Sequence, residues 1–269
     1  MLKERIRTAL ILGALLIVVL FALPVWAAVA VITLALLAGA WEWSALIGRS
    51  GQVGIASRLL FVVAIAAGMA ALALPEPALL PESTVLAIAV LWWLAGFTWV
   101  VLAPGKAPPP TGAIAGVLTL VPAWYALLHL RLDFTLGAEW LLYILVLVTA
   151  ADSGAYFVGR RFGRVKLAPR VSPGKTWEGV FGGLAAGCAA AWAGALWFGL
   201  PALPFLALAL AVIVFGIVGD LVESQLKRAA GVKDSGTLFP GHGGMLDRID
   251  SLTAAAPVLL AGLHLLGVS

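Results

Sequence analysis

Apolar residues arrive in runs of about twenty, separated by short polar or Pro- and Gly-bearing breaks such as "PEPALLPE" and "PGKAPPPTG". The chain stays almost continuously hydrophobic near residues 9–25, 27–46, 57–74, 83–103, 112–130, 139–158, 178–199, 202–222 and 251–267. A helix rises about 1.5 Å per residue, so each run is long enough for the ~30 Å hydrocarbon layer. The pattern predicts an all-α integral membrane protein, a polytopic bundle of about nine transmembrane helices, with a polar cavity on the cytoplasmic side. No polar linker, low-complexity tract, internal repeat or heptad pattern divides it. Residues 1–269 therefore read as one integral domain, with 1–150 mainly scaffold and 151–269 carrying the chemistry.

Composition strengthens that reading. The chain is 62% hydrophobic and only 11% charged, with a mean hydropathy of +1.07, whereas soluble domains are roughly a quarter charged. A net charge of +4 and a pI near 9.5 invite a nucleic-acid reading, but the placement of the charges argues against it. Nine spans put the termini on opposite sides, and the basic start "MLKERIR" puts the N-terminus in the cytoplasm. All but Arg131 of the 17 Lys and Arg residues then face the cytoplasm, as the positive-inside rule demands. The outer loops carry Glu76, Glu82, Asp133 and Glu139. The expected location is the cytoplasmic (inner) membrane. The first stretch also has the outline of a signal peptide, but apolar character continues through Ala40, so it reads as a retained span.

Cys188 is the only cysteine, which removes a disulfide framework and a cysteine zinc cluster. The histidines, at 129, 242 and 264, are too scattered for a zinc site. Polar residues concentrate in two cytoplasmic loops, "GRRFGRVKLAPRVSPGKTWEG" (159–179) and "KRAAGVKDSGTLFPGHGGMLDRID" (227–250). Acids flank them at membrane depth: Asp152, Asp220 and Glu223. A carboxylate there has to be paired, bound to a metal or facing a wet cavity. On a helix Asp220 shares a face with Ser224, and Glu223 with Lys227. Asp247 and Asp250 share one if "MLDRID" opens the last span. Acid pairs entering one cavity from different helices make an oxygen-rich site of the kind Mg²⁺ prefers. The metal candidates are Asp220, Glu223, Asp247 and Asp250.

"FPGHGG" contributes Gly243 and Gly244, which let a backbone turn sharply or approach a ligand and leave N–H groups for phosphate. Lys227, Arg228, Lys233 and Arg248 add positive charge around it. "SPGKT" resembles the end of a P-loop, but Pro169 stands where that pattern needs Gly, and no strand is expected before it. Ser172, Lys175 and Thr176 still form a phosphate-binding candidate at an expected helix start, with Pro173 in the first turn. Arg160, Arg161, Arg164, Lys166 and Arg170 read first as anchors to anionic lipid. Acids for a metal, with bases and bare amides for phosphate, describe a nucleotide–Mg²⁺ site at the cytoplasmic face.

At residues 224–250 the chain resembles the phosphatidate cytidylyltransferases, also called CDP-diacylglycerol synthases. The matching positions are Ser224, Lys227, Arg228, Lys233, Asp234, His242, Gly243, Gly244, Asp247, Arg248 and Asp250. The likeness continues upstream into "DSGAYFVGRRFGRVKLAPRVSPGKTWEG". It implies transfer of a cytidylyl group from CTP to phosphatidate, giving CDP-diacylglycerol and pyrophosphate. It implies Asp220, Asp247, Asp250, Lys227 and His242 as catalytic residues. Asp220 and Asp247 are the first choices for Mg²⁺, and Asp250 and Glu223 for a second cation, K⁺. Substrate binding falls to Asp152, Ser172, Lys175, Ser224, Arg228, Lys233, Asp234, Gly243, Gly244 and Arg248, and Ser153 is expected beside Asp152. Two roles stay open: Ser224 bonds a phosphate or orients Asp220, and His242 serves the leaving group or its own turn.

Gly179, Gly183, Gly187, Ala191 and Ala195 recur every four residues. Such a stripe suits close helix packing, either as a homodimer seam or within one chain. Two rival functions remain: a cytidylyltransferase for another lipid phosphate, such as an ether lipid, and a cation or lipid transporter. Transporters place ionisable groups near the midplane, often in inverted repeats, whereas most here cluster at one face.

Overall fold

The computed structural model describes residues 13–48, 53–74, 79–238 and 243–268. Among them the helices are α1 (Gly13–Ala22, closing in a π-helical turn), α2 (Val25–Leu46), α3 (Ile55–Leu72), α4 (Glu82–Leu102) and α5 (Pro109–Leu132). They continue with α6 (Gly137–Phe162), α7 (Trp177–Phe198), α8 (Ala202–Ala230) and α9 (Leu246–Leu265). Between α6 and α7 lies an antiparallel hairpin of β1 (Lys166–Ala168) and β2 (Ser172–Thr176), with Lys166 opposite Thr176 and Ala168 opposite Ser172.

The chain is an all-α, multi-pass membrane protein, as its apolar runs predict. Among the described residues, 7 helices, α2 to α8, are long and apolar enough to cross a bilayer. The expected first span starts outside the described residues, and α1 covers only its second part. The last expected span is α9, whose first turn holds Asp247, Arg248 and Asp250 and makes it more polar than the others. Prolines mark helix starts: Pro24, Pro81, Pro108 and Pro201 precede α2, α4, α5 and α8. Gly199 and Gly231, at φ 66 and 75, end α7 and α8 in the left-handed conformation that glycine adopts without a Cβ penalty.

α5 is the central post. Of its apolar window 72% is buried, against 50% or less for the other six spans, and Leu120, Ala123, Ala126 and Leu130 are fully enclosed. It touches α2, α3, α4, α6 and α9. Large apolar side chains such as Leu60, Leu91, Trp197 and Leu203 stay on the outside. A soluble monomer seldom exposes so much apolar surface, and in this chain it faces lipid.

Three expectations change. First, "SPGKT" is strand β2 and not a helix start. Pro173 lies in the strand, and α7 begins only at Trp177, with Thr176 Oγ1 as cap accepting from the Gly179 N–H at 3.1 Å. The short loop 169–171 lets the segment fold back on β1, which local periodicity does not reveal. Second, α8 runs to Ala230, so Lys227 and Arg228 are helical and not in a loop. Third, the small-residue stripe on α7 is covered by this same chain. A Cβ on Gly183 would lie 2.9 Å from Ala151 O of α6, one on Gly179 3.0 Å from Ala155 O, and one on Gly187 would overlap Ile213 of α8. At these three glycines the face is filled from within the chain, the second of the two readings of the stripe.

Candidate active site

The site forms where α8 and α9 cross. Gly219 permits the contact: a Cβ there would stand 2.7 Å from Asp250 O. The close approach brings Asp220 and Glu223 of α8 beside Asp250 of α9, with one oxygen of each within 4.8 Å of the others. Glu223 is 2% exposed. Its Oε1 is buried without a hydrogen-bond partner among the described residues. An orphaned carboxylate oxygen beside two further carboxylates is a donor set that suits a hard cation.

Lysines flank these acids on two sides. One helical turn beyond Glu223, Lys227 Nζ lies 2.5 Å from Glu223 Oε2 and reaches Asp247 Oδ1 at 2.7 Å. From the hairpin, Lys175 Nζ lies 2.5 Å from Asp220 Oδ2. Ser224 donates its hydroxyl to Asp220 Oδ1 at 3.3 Å.

Asp247 has other partners. Besides Lys227, its Oδ2 accepts the Gly244 N–H at 2.8 Å and both the N–H and the hydroxyl of Ser235, at 3.0 and 2.9 Å. It thus holds the loop before α9 in shape, and the trio of converging acids does not include it. Gly243, at φ 78, faces it so closely that a Cβ would lie 2.5 Å from Oδ2. The glycines of "HGG" make room for protein carboxylates, and the Gly244 N–H points to Asp247.

Sequence reasoning passed over one residue here. Glu42, the only charged residue of α2, is buried and accepts the N–H groups of Met245 and Leu246 and the hydroxyl of Ser235. The available signal was "AWEWSAL", a lone acid near the C-terminal end of an apolar run.

Beside the acids opens a cavity of about 500 Å³ between α6, the hairpin, α7 and α8, lined by Asp152, Tyr156, Arg160, Ser172, Lys175 and Asp220 among others. Asp152, Ser172 and Lys175 were expected there. Tyr156 was not, and Arg160, first read as a lipid anchor, donates to the Tyr156 hydroxyl at 2.8 Å on the cavity wall. Glu178 fixes the hairpin by accepting the Val165 N–H at 3.2 Å. Arg228 ties the hairpin to α8 through Val171 O and reaches on to Val232 O, both at 3.2 Å. Lys233 and Asp234 lie exposed in the turn after α8, and Arg248 is exposed on the first turn of α9. His242 lies outside the described residues.

Comparison with known proteins gives the family. A model of the cytidylyltransferase family matches residues 3–266. The phosphatidate cytidylyltransferase of Pseudomonas aeruginosa is 44% identical over 276 residues, covering 97% of this chain and 96% of that protein. The one from Haemophilus influenzae is 39% identical over 283 residues, covering 96% of each. The acids of α8 and α9, the lysines around them and the match along nearly the whole chain lead to one assignment: this chain belongs to the cytidylyltransferase family.

Proposed function

We propose that this chain is a phosphatidate cytidylyltransferase of the cytoplasmic membrane, converting CTP and phosphatidate to CDP-diacylglycerol and pyrophosphate. The observation that carries this reading is the convergence of Asp220, Glu223 and Asp250 within 4.8 Å, beside a cavity walled by Lys175, Arg160 and Ser172. Near-full-length relatives of that name support it.

In the reaction a phosphate oxygen of phosphatidate attacks the α-phosphorus of CTP. A new P–O bond forms, the bond to the β-phosphate breaks, and pyrophosphate leaves with the electron pair. Both reactants are anionic, so positioning and charge neutralisation do most of the catalysis. Lys175, Arg160 and Ser172 face the cavity and bind phosphate oxygens. Asp220, Glu223 and Asp250 are the residues that would hold Mg²⁺, and a second cation such as K⁺ would sit on the same acids. When bound, Mg²⁺ neutralises phosphate charge in the transition state. Lys227 pairs with Glu223 and Asp247 and holds them in register, and Ser224 orients Asp220. Phosphatidate's phosphate is already nucleophilic near neutral pH and needs no strong base. The cavity faces the cytoplasm, the side of the N-terminus, where CTP is found.

The test uses purified protein in mixed micelles with labelled CTP, phosphatidate and Mg²⁺. CDP-diacylglycerol and pyrophosphate should form in equal amounts, stop with EDTA and resume with Mg²⁺. No product under these conditions overturns the reading. Faster turnover of an ether-lipid phosphate offered in competition would reassign the lipid.

A further inference from the structure

Glu42 is 8% exposed, and three donors converge on its carboxylate. Oε1 accepts the Met245 N–H at 3.0 Å, and Oε2 accepts the Leu246 N–H at 2.7 Å and the Ser235 hydroxyl at 3.0 Å. Met245 and Leu246 begin α9, and Met245, its N-cap, offers no side-chain cap of its own. The orphan N–H groups of a helix start need acceptors, and negative charge there is favoured by the helix dipole. In this chain the acceptor comes from α2, about two hundred residues away in sequence.

The surroundings are shaped to this carboxylate. A Cβ on either Gly236 or Gly244 would overlap it. Ser235 Oγ also lies 2.9 Å from Asp247 Oδ2, so its one proton bridges two acids from different helices. The stretch of α2 around Glu42 is anchored to other helices. Trp43 donates its indole N–H to Gly112 O of α5 at 2.9 Å. Arg58 of α3 stacks 3.8 Å over the Trp41 ring and donates to Trp41 O at 2.9 Å. A Cβ on Gly39, one turn before Glu42, would stand 3.1 Å from Ile249 Cδ1 of α9.

We propose that Glu42 is a positioning residue for cytidylyl transfer: from the membrane scaffold it fixes the start of α9 and so places Asp247 and Asp250 relative to Asp220 and Lys227. This rests on the enzymatic reading above.

The experiment compares purified wild type with Glu42→Gln and Glu42→Ala, measuring kcat, both KM values and the Mg²⁺ concentration for half-maximal rate. Hydrogen exchange of the peptide covering 243–250 is measured in parallel. Gln keeps the volume and one acceptor, so it decides the matter if the Ala variant does not fold. Loss of a buried charged acceptor should lower kcat about tenfold or more in Glu42→Gln. The Mg²⁺ midpoint should rise severalfold, and exchange at 243–250 should quicken while α5 peptides stay protected. A merely structural role would shrink the active fraction and leave the Mg²⁺ midpoint and the exchange pattern of the folded fraction unmoved. That outcome, or wild-type behaviour of Glu42→Gln, overturns the proposal. If wild type makes no CDP-lipid, the enzymatic reading fails, and exchange at 243–250 alone then decides whether Glu42 sets α9.

Discussion

Lys175 and Asp220 meet at 2.5 Å, an ammonium from the hairpin on a carboxylate of α8. Both side chains are about a quarter exposed, at 26% and 27%, so the pair adds little stability, on the order of 0–1 kcal/mol. Its importance is to hold a cation over the cavity beside the acids. Lys175→Ala should therefore lower turnover about 10²-fold, as expected for a lost transition-state donor, with an unchanged unfolding temperature. Lys175→Arg keeps the charge but changes its shape, and should recover only part of the rate. Steady-state kinetics beside thermal unfolding in detergent separates the two effects, and near-normal turnover of the Ala variant would remove Lys175 from the site.

Asp220 and Asp247 should respond differently to loss of charge. Asp220→Asn keeps the Ser224 contact and should abolish turnover while the protein unfolds at its usual temperature. Asp247→Asn breaks a largely buried pair with Lys227, whose side chains are 9% and 10% exposed. Removing one partner of a buried pair costs about 3–5 kcal/mol, so this variant should lose stability as well as activity. Equal unfolding temperatures for the two would contradict the structural role of Asp247.

Gly244→Ala forces a methyl group into the Glu42 carboxylate and should destabilise by about 1–3 kcal/mol or prevent folding. Gly54→Ala, where a Cβ meets nothing within 4 Å, should stay within about 0.5 kcal/mol of wild type. Unfolding curves of the two variants check the contrast, which fails if they coincide.

Gly154 lies against α7 so closely that a Cβ would stand 2.5 Å from Gly182 O. Gly154→Val should separate α6 from α7, lower the yield of folded protein and displace the hairpin between them. Yield after purification and the CTP KM of what remains report this. Normal values for both would mean that the helices can part freely.

The helices were legible because lipid imposes one rule on every span, a long apolar run, and local sequence carries it. The pairings of Asp220 with Ser224 and Glu223 with Lys227 were legible for a similar reason, since helical spacing alone sets them. What was not legible depended on distant partners. "SPGKT" reads as a helix start until β1 is there to pair with it. Asp247 reads as a metal ligand from its spacing, which says nothing of the contacts it makes with Ser235, Gly244 and Lys227. Glu42 drew no reading because its three donors lie about two hundred residues further along the chain. Arg160 is a different case: its partner Tyr156 lies only one helical turn earlier, and what spacing does not reveal is that this turn faces a cavity and not lipid.

The glycine contacts between α6 and α7 bear on where one ammonium group stands. The hairpin is strung between the ends of these two helices, so the distance between their backbones sets where its strands lie. Lys175 thus owes its place opposite Asp220 to residues that carry no side chain at all.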